Sequence, residues 1–308
     1  MQKKNLFFLK NVVYCVIALF FLGNVAYGGE MKVLAPSSVK IGVPFLIRFK
    51  TEATDVQGTL YWCDQKIPLY LAEKNDFTQT LLLGTSVKTA VPGRATLRIE
   101  TLMGNGIKNF ALPIEVLFKA YPEEHLSLPQ KMVTPPSEVI PRIKRERQEV
   151  RKVLLDINNE NYLELPLQKP VIGDITSTYG KKRVLNGRPS NPHTGVDLRA
   201  SIGTEVRAVA NGTVTLVADH YFSGKTIYIN SGYGVVAMYC HLSEFLVQTG
   251  DSVSKGDIIA KTGVTGRITG PHLHFSLALQ GQLVDPISLF SLDEQTFLEK
   301  NKEVLFNW

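Results

Sequence analysis

The stretch "GPHLHFSL", residues 270–277, sets two histidines one residue apart at the head of an apolar run. Alternate residues of a strand point to the same face, so His272 and His274 enter one cavity. Around them, residues 171–290 are rich in β-formers and glycine. "EVRAVANGTVTLVAD" (205–219), "KTIYINSG" (225–232) and "GVVAMYCHL" (234–242) read as strands joined by turns, and "GDSVSKGDIIAKTG" (250–263) has the Gly-Asp turns of a tightly coiled small barrel. The chain has no P-loop, no dinucleotide glycine motif and no nucleophile elbow.

N-terminal to this region the pattern changes twice. Residues 119–165 hold Pro122, Pro129, Pro135, Pro136 and Pro141, then "RIKRERQEVRKVLLDI", which reads as a helix with Ile143, Val150, Val153 and Leu154 near one face. Six of residues 142–152 are Lys or Arg against two Glu, the composition of a solvated helix packed between domains. Residues 29–118 read as short strands, "FLIRFKTE", "GTLYWCDQ", "QTLLLGT" and "RATLRIETL", split by Gly42-Val43-Pro44, Pro92-Gly93 and Gly104-Asn105-Gly106. That spacing predicts a small β-sandwich of immunoglobulin-like type.

The first 28 residues have the make-up of a secretory signal: Lys3, Lys4 and Lys10, an apolar run from Val12 to Leu22, and a small-x-small site at Ala26-Tyr27-Gly28. The run is short for a membrane span of about 20 residues. Cleavage predicts an exported protein, in the periplasm, with no integral span. The alternatives are an N-terminal anchor and full secretion. Loss of the three lysines takes the formal charge from +6 to +3, too little to argue for nucleic acid. Cys15 leaves with the signal. Cys63 and Cys240 lie far apart with no CxxC, which favours buried free thiols over a disulfide.

Four of the six histidines, His193, His241, His272 and His274, fall in informative settings. In "HTGVD" His193 and Asp197 are four apart, about 13 Å in a straight strand and too far to share an ion. A bend at Gly195 brings them together. His193, Asp197 and one histidine of the 272/274 pair then form a three-ligand set of the nitrogen and oxygen type that suits zinc. Three protein ligands leave a position for water, the catalytic pattern. The other histidine of the pair and His241 are then proton carriers. His125 is isolated in the linker, and His220 is placed on a hairpin loop.

"HTGVDL", "MYCHLS" and "GPHLHF" resemble the signature segments of the LytM/lysostaphin-type zinc metallopeptidases, peptidase family M23. The resemblance runs over about residues 171–289 and includes "ITSTYGKKR" and "VDPISL". It implies a small antiparallel β domain, one Zn2+ per chain, and cleavage of peptide bonds in peptidoglycan. By motif, His193, Asp197 and His274 match the zinc ligands and His241 and His272 the two catalytic histidines, whose separate roles stay open. Asn230-Ser231 and Cys240 depart from the family's usual residues without touching those five. The expectation is a mainly β chain: signal 1–28, sandwich 29–118, helical linker 119–165 and peptidase domain 166–308. Its substrate is peptidoglycan peptide, and the N-terminal domain is available to an envelope protein partner or to cover the groove. A non-catalytic activator of a wall amidase is the alternative, disfavoured because all five positions are intact.

Overall fold

The protein is described by a computed structural model covering residues 30–52, 56–103 and 106–307; the signal segment and Cys15 lie outside these residues. The chain is mainly β. Among the described residues no helix is long and apolar enough to cross a membrane.

Two sheets build the N-terminal part. Alternating apolar residues give each sheet one buried face. Strands Glu30–Ala35, Phe45–Thr51 and Thr78–Leu83 belong to one sheet; Ser38–Lys40, Val56–Trp62, Gln65–Leu71, Gly93–Met103 and Gly106–Leu117 form the other. Val33, Ile47, Phe49, Leu60, Trp62, Leu81, Leu97 and Ile114 share the core between them. Trp62 stands edge-on to Phe45, and its indole N–H donates to Gly84 O at 2.8 Å, which satisfies the one polar atom that it buries.

The sequence assigns residues 302–307 to the C-terminal domain. The structure places them elsewhere. Strand Lys302–Asn307 runs antiparallel to Glu30–Ala35, Glu30 opposite Asn307, and extends the N-terminal sheet. Val304 and Phe306, two apart and hence on one face, pack on the N-terminal core, Phe306 4.8 Å from the Phe110 ring. Such a pattern reveals a buried face but not which sheet supplies the partner.

The linker is ordered, and more than helical. Strand Glu123–Leu126 pairs in parallel with Lys182–Leu185 of the C-terminal part. Helix Ile140–Leu154 begins with Pro141 in its first turn, where the missing N–H costs nothing. It buries Ile143, and Val150, Val153 and Leu154 pack against Tyr228, Val236 and Ala278.

Besides Lys182–Leu185 and Arg188–Pro189, which form a three-stranded sheet with the linker strand, the C-terminal part is built on one ten-stranded antiparallel sheet. Its strand order is Ile175–Ser177, Val196–Arg199, His272–Leu279, Val235–Phe245, Gly224–Asn230, Gly212–His220, Ser252–Val253, with three short strands off that path. Val196, Leu198, Ile227, Tyr239, Leu273, Phe275 and Leu277 fill its core. Leu46 and Leu82 of the N-terminal sheets belong to the same cluster. The two parts approach so closely that a Cβ on Gly84 would lie 2.5 Å from Val284 Cγ1. Cys63, half-buried, and Cys240, buried, are free thiols.

Candidate metal centre

Strand register creates the cluster. His274 sits directly opposite Asp197 on adjacent antiparallel strands, and His272 opposite Arg199. Directly opposed side chains of such strands lie about 5 Å apart at Cβ. His193 arrives from the preceding loop, whose backbone is pinned by bonds from Gly180 N to His193 O and from His193 N to Lys181 O. The chain bends at Gly195, as the spacing requires. A Cβ there would lie 2.3 Å from Phe275 O and 2.9 Å from the His274 ring, so only glycine lets the loop come this close.

The donor atoms converge. His193 Nε2 is 3.1 Å from Asp197 Oδ1 and 3.0 Å from His274 Nδ1, which is itself 2.7 Å from Asp197 Oδ1. Among the described residues these three form the one cluster of metal-ligating groups. Thr178 O can only accept, so His193 Nδ1, 2.9 Å away, carries the hydrogen and Nε2 turns a bare lone pair inward. His274 Nε2 has Ser276 Oγ at 2.8 Å as its outward partner. Three acceptor atoms thus meet with at most one proton among them. A divalent cation satisfies all three, and two imidazoles with one carboxylate suit zinc. Burial opposes ionisation of Asp197, but the His193 and His274 side chains beside it outweigh that and hold the carboxyl well below its ordinary range. Burial, partly offset by Asp197, lowers the His274 pKa to about 4.

His241 and His272 flank the cluster. His272 Nε2 lies 3.6 Å from Asp197 Oδ1, and the His241 and His272 rings are 5.3 Å apart. The two present the same atom: Nδ1–H donates to Thr265 O at 2.8 Å in His241 and to Gly270 O at 2.9 Å in His272, which leaves both Nε2 atoms as acceptors. His241 reaches this position through a bulge, with Cys240 and His241 together facing Thr226 of the neighbouring strand. Its φ is +62°, a left-handed conformation that costs a non-glycine residue about 1–3 kcal/mol. Burial, reinforced by the His274 ring, pushes its pKa down to about 3.

Sequence reasoning missed three supporting residues. Arg183 Nη2 donates to Asp197 Oδ2 at 3.1 Å, Ser177 Oγ lies 3.3 Å from His193 Nδ1, and Glu124 of the linker bonds to both Arg183 and Ser177. Ser177 and Arg183 lie in the quoted "ITSTYGKKR"; nothing in the sequence marks Glu124. The other two histidines are elsewhere. His125 Nε2 lies 2.6 Å from Glu123 Oε1 on the surface. His220, placed on a loop by the sequence reading, is the last residue of a strand and is buried edge-on to Tyr228. It lines a cavity of about 890 Å³ under helix Ile140–Leu154.

Residues 191–286 match the model of peptidase family M23. They form an M23 peptidase domain. A Pseudomonas aeruginosa crystal structure described as a candidate M23 peptidase superposes with a TM-score of 0.59 at 29% identity, over 76% of this chain and 87% of that one. The peptidoglycan DD-endopeptidase ShyA of Vibrio cholerae is 36% identical over 37% of this chain and 28% of its own length. The DD-carboxypeptidase/endopeptidase Mpg of Neisseria meningitidis is 42% identical over 32% of this chain and 22% of its own. The M23 match thus spans about a quarter of these relatives' lengths.

Proposed function

We propose that the chain is an exported zinc metallo-endopeptidase that hydrolyses peptide bonds of peptidoglycan. The observation that carries this reading is the inward lone pair of His193 Nε2, aimed at Asp197 Oδ1 and His274 Nδ1. The similarity to named DD-endopeptidases supplies the substrate class. In this reading His193, Asp197 and His274 hold the metal. Zinc, when bound, supplies a Lewis acid that polarises the scissile carbonyl and acidifies a water.

The remaining chemistry belongs to His241 and His272. Each has its Nδ1–H committed to a backbone carbonyl, so each can take a proton only at Nε2. The attacking water gives a proton to one of them, and the leaving amine takes one back as the C–N bond breaks. The protonated ring stabilises negative charge on the carbonyl oxygen while the tetrahedral species lasts. The depressed pKa of His241 keeps that ring neutral at pH 7 before reaction.

As domains we propose a β unit of residues 29–118 closed by the strand 302–307, an ordered linker, and a peptidase unit beginning near residue 166. Export rests on the composition of residues 1–28. The test is elemental analysis of residues 29–308, with digestion of purified peptidoglycan read by mass spectrometry. The expected result is about one zinc per chain and new peptide ends, both lost in His193→Ala and Asp197→Ala. Neither zinc nor cleavage after zinc is added back would refute the peptidase reading and leave the amidase activator in its place.

A further inference from the structure

Glu124 comes from the linker, yet its carboxylate touches the supports of two proposed ligands at once. On one side Ser177 Oγ donates to Glu124 Oε1 at 2.8 Å, and the same hydroxyl stands against His193 Nδ1. On the other, Arg183 Nε donates to Glu124 Oε2 at 3.2 Å while its Nη2 donates to Asp197 Oδ2 at 3.1 Å. Lys181 Nζ adds a third bond, to Oε1, at 2.7 Å. Burial alone would raise the Glu124 pKa. The bonds from Lys181 and Ser177 and the charge of Arg183 outweigh it, so the group is an anion at neutral pH.

The local fold holds this carboxylate in place. Glu124 is opposite Arg183 in the parallel pairing of Glu123–Leu126 with Lys182–Leu185. Upstream, Tyr121 Oη donates to Ile41 O at 2.7 Å, and its ring lies on Gly180, where a Cβ would come within 2.1 Å of it. Downstream, the Asn186 side chain bonds both the N–H and the C=O of Leu128, at 2.9 and 2.8 Å. The linker strand is therefore clamped at both ends, with Glu124 between the clamps.

We propose that Glu124 is a positioning residue for the metal centre: through Arg183 and Ser177 it orients Asp197 and His193, so that docking of the linker strand and metal affinity are linked. This rests on the reading that His193, Asp197 and His274 hold zinc. Arg183 occupies Asp197 Oδ2 and leaves Oδ1 free to ligate. Without Glu124, Lys181 and Arg183 become uncompensated cations beside a site that must accept a divalent cation, and Arg183 is free to compete for both oxygens of Asp197. Supporting groups of this kind change metal affinity 10–100-fold. Linkage is reciprocal, so metal binding must in turn tighten the docked strand.

The experiment is a zinc competition titration against a chromophoric chelator on the full chain, with amide exchange followed over residues 123–126. Glu124→Gln keeps the shape of the side chain and removes its charge; the expected loss of zinc affinity is 10–100-fold. Adding Lys181→Gln removes one of the two uncompensated cations and recovers part of that loss, which a merely structural role would not produce. Arg183→Lys, which cannot span two carboxylates, weakens zinc binding about tenfold if Glu124→Gln does not fold. Zinc slows exchange of the 123–126 amides in the wild type and loses that effect in Glu124→Gln. Zinc affinity in Glu124→Gln within twofold of the wild type, with the fold intact, overturns the role. A wild-type chain that binds no zinc overturns the metal reading itself, a separate and recognisable result.

Discussion

Lowering the pH from 7 to 5 should destabilise the zinc-free protein through His241. Its folded pKa is about 3, pushed down chiefly by burial. The unfolded value is about 6.5. Below pH 6.5 the unfolded chain takes up a proton that the folded chain refuses until near pH 3. Stability rises with pH wherever the unfolded state binds more protons, so here it falls as the solution is acidified. At about 1.36 kcal/mol per pH unit, the 1.5 units between 6.5 and 5 cost about 2 kcal/mol. Set against a folded stability of about 5–15 kcal/mol, that is readily measured. Asp197 does not disturb the window, because its depressed pKa moves its own loss of stability below the ordinary carboxylate range. His274, lowered to about 4, adds a parallel loss that the comparison cancels. The assay is urea denaturation of metal-stripped wild type and His241→Gln at pH 7 and 5. The glutamine can still donate to Thr265 O. The wild type should lose about 2 kcal/mol more than the variant between the two pH values. Equal losses would show that the surroundings do not depress the His241 pKa, and the burial argument would be refuted.

Three further outcomes follow from packing and register. Tyr239→Phe removes the acceptor of the Val209 N–H, 2.9 Å away in a fully buried setting, and should cost about 1–3 kcal/mol in urea denaturation. Ending the chain at residue 301 strips the partner strand from Glu30–Ala35 and exposes a sheet edge; light scattering should show self-association that rises with concentration, and a monodisperse shortened chain would contradict it. Residues 166–308 alone test two opposed ideas. Relief of a covered groove makes that fragment more active than residues 29–308, whereas loss of Glu124 and of the core contacts from Leu46 and Leu82 makes it less stable and weaker in zinc. Chelator competition together with the rate of peptidoglycan release separates the two.

What the sequence revealed and what it hid divide along a physical line. Local constraints were legible. HxH implies one shared face because the strand period is two, and HTGVD implies a bend because four strand residues span too far. Glycine at position 195 is demanded by a carbonyl 2.3 Å from where its Cβ would be. Non-local pairings were not legible. Nothing in "VDLR" and "HLHF" says that Asp197 will face His274 rather than a residue one step away, although a one-residue slip would turn the histidines to the other face. The bulge that re-aims His241 inserts one residue against Thr226, and such a shift is set by both strands together. Strand 302–307 and Glu124 were hidden for the same reason, since each finds its partner far away in the sequence.

That distinction bears on where the functional unit ends. A boundary drawn from motifs encloses the five residues that would do the chemistry and leaves out a carboxylate bonded to the groups that hold two of them. Arg183 bonds one oxygen of Asp197 through Nη2 while its Nε is bonded to a second carboxylate, and that second carboxylate lies on the linker. The linker in turn is clamped through Tyr121 to Ile41, a residue of the N-terminal part. A chain of contacts therefore runs from the N-terminal sheets through Tyr121 and Glu124 to Asp197. Those contacts give a contiguous route from the N-terminal part to the candidate metal centre, which is what the zinc titration of Glu124→Gln tests.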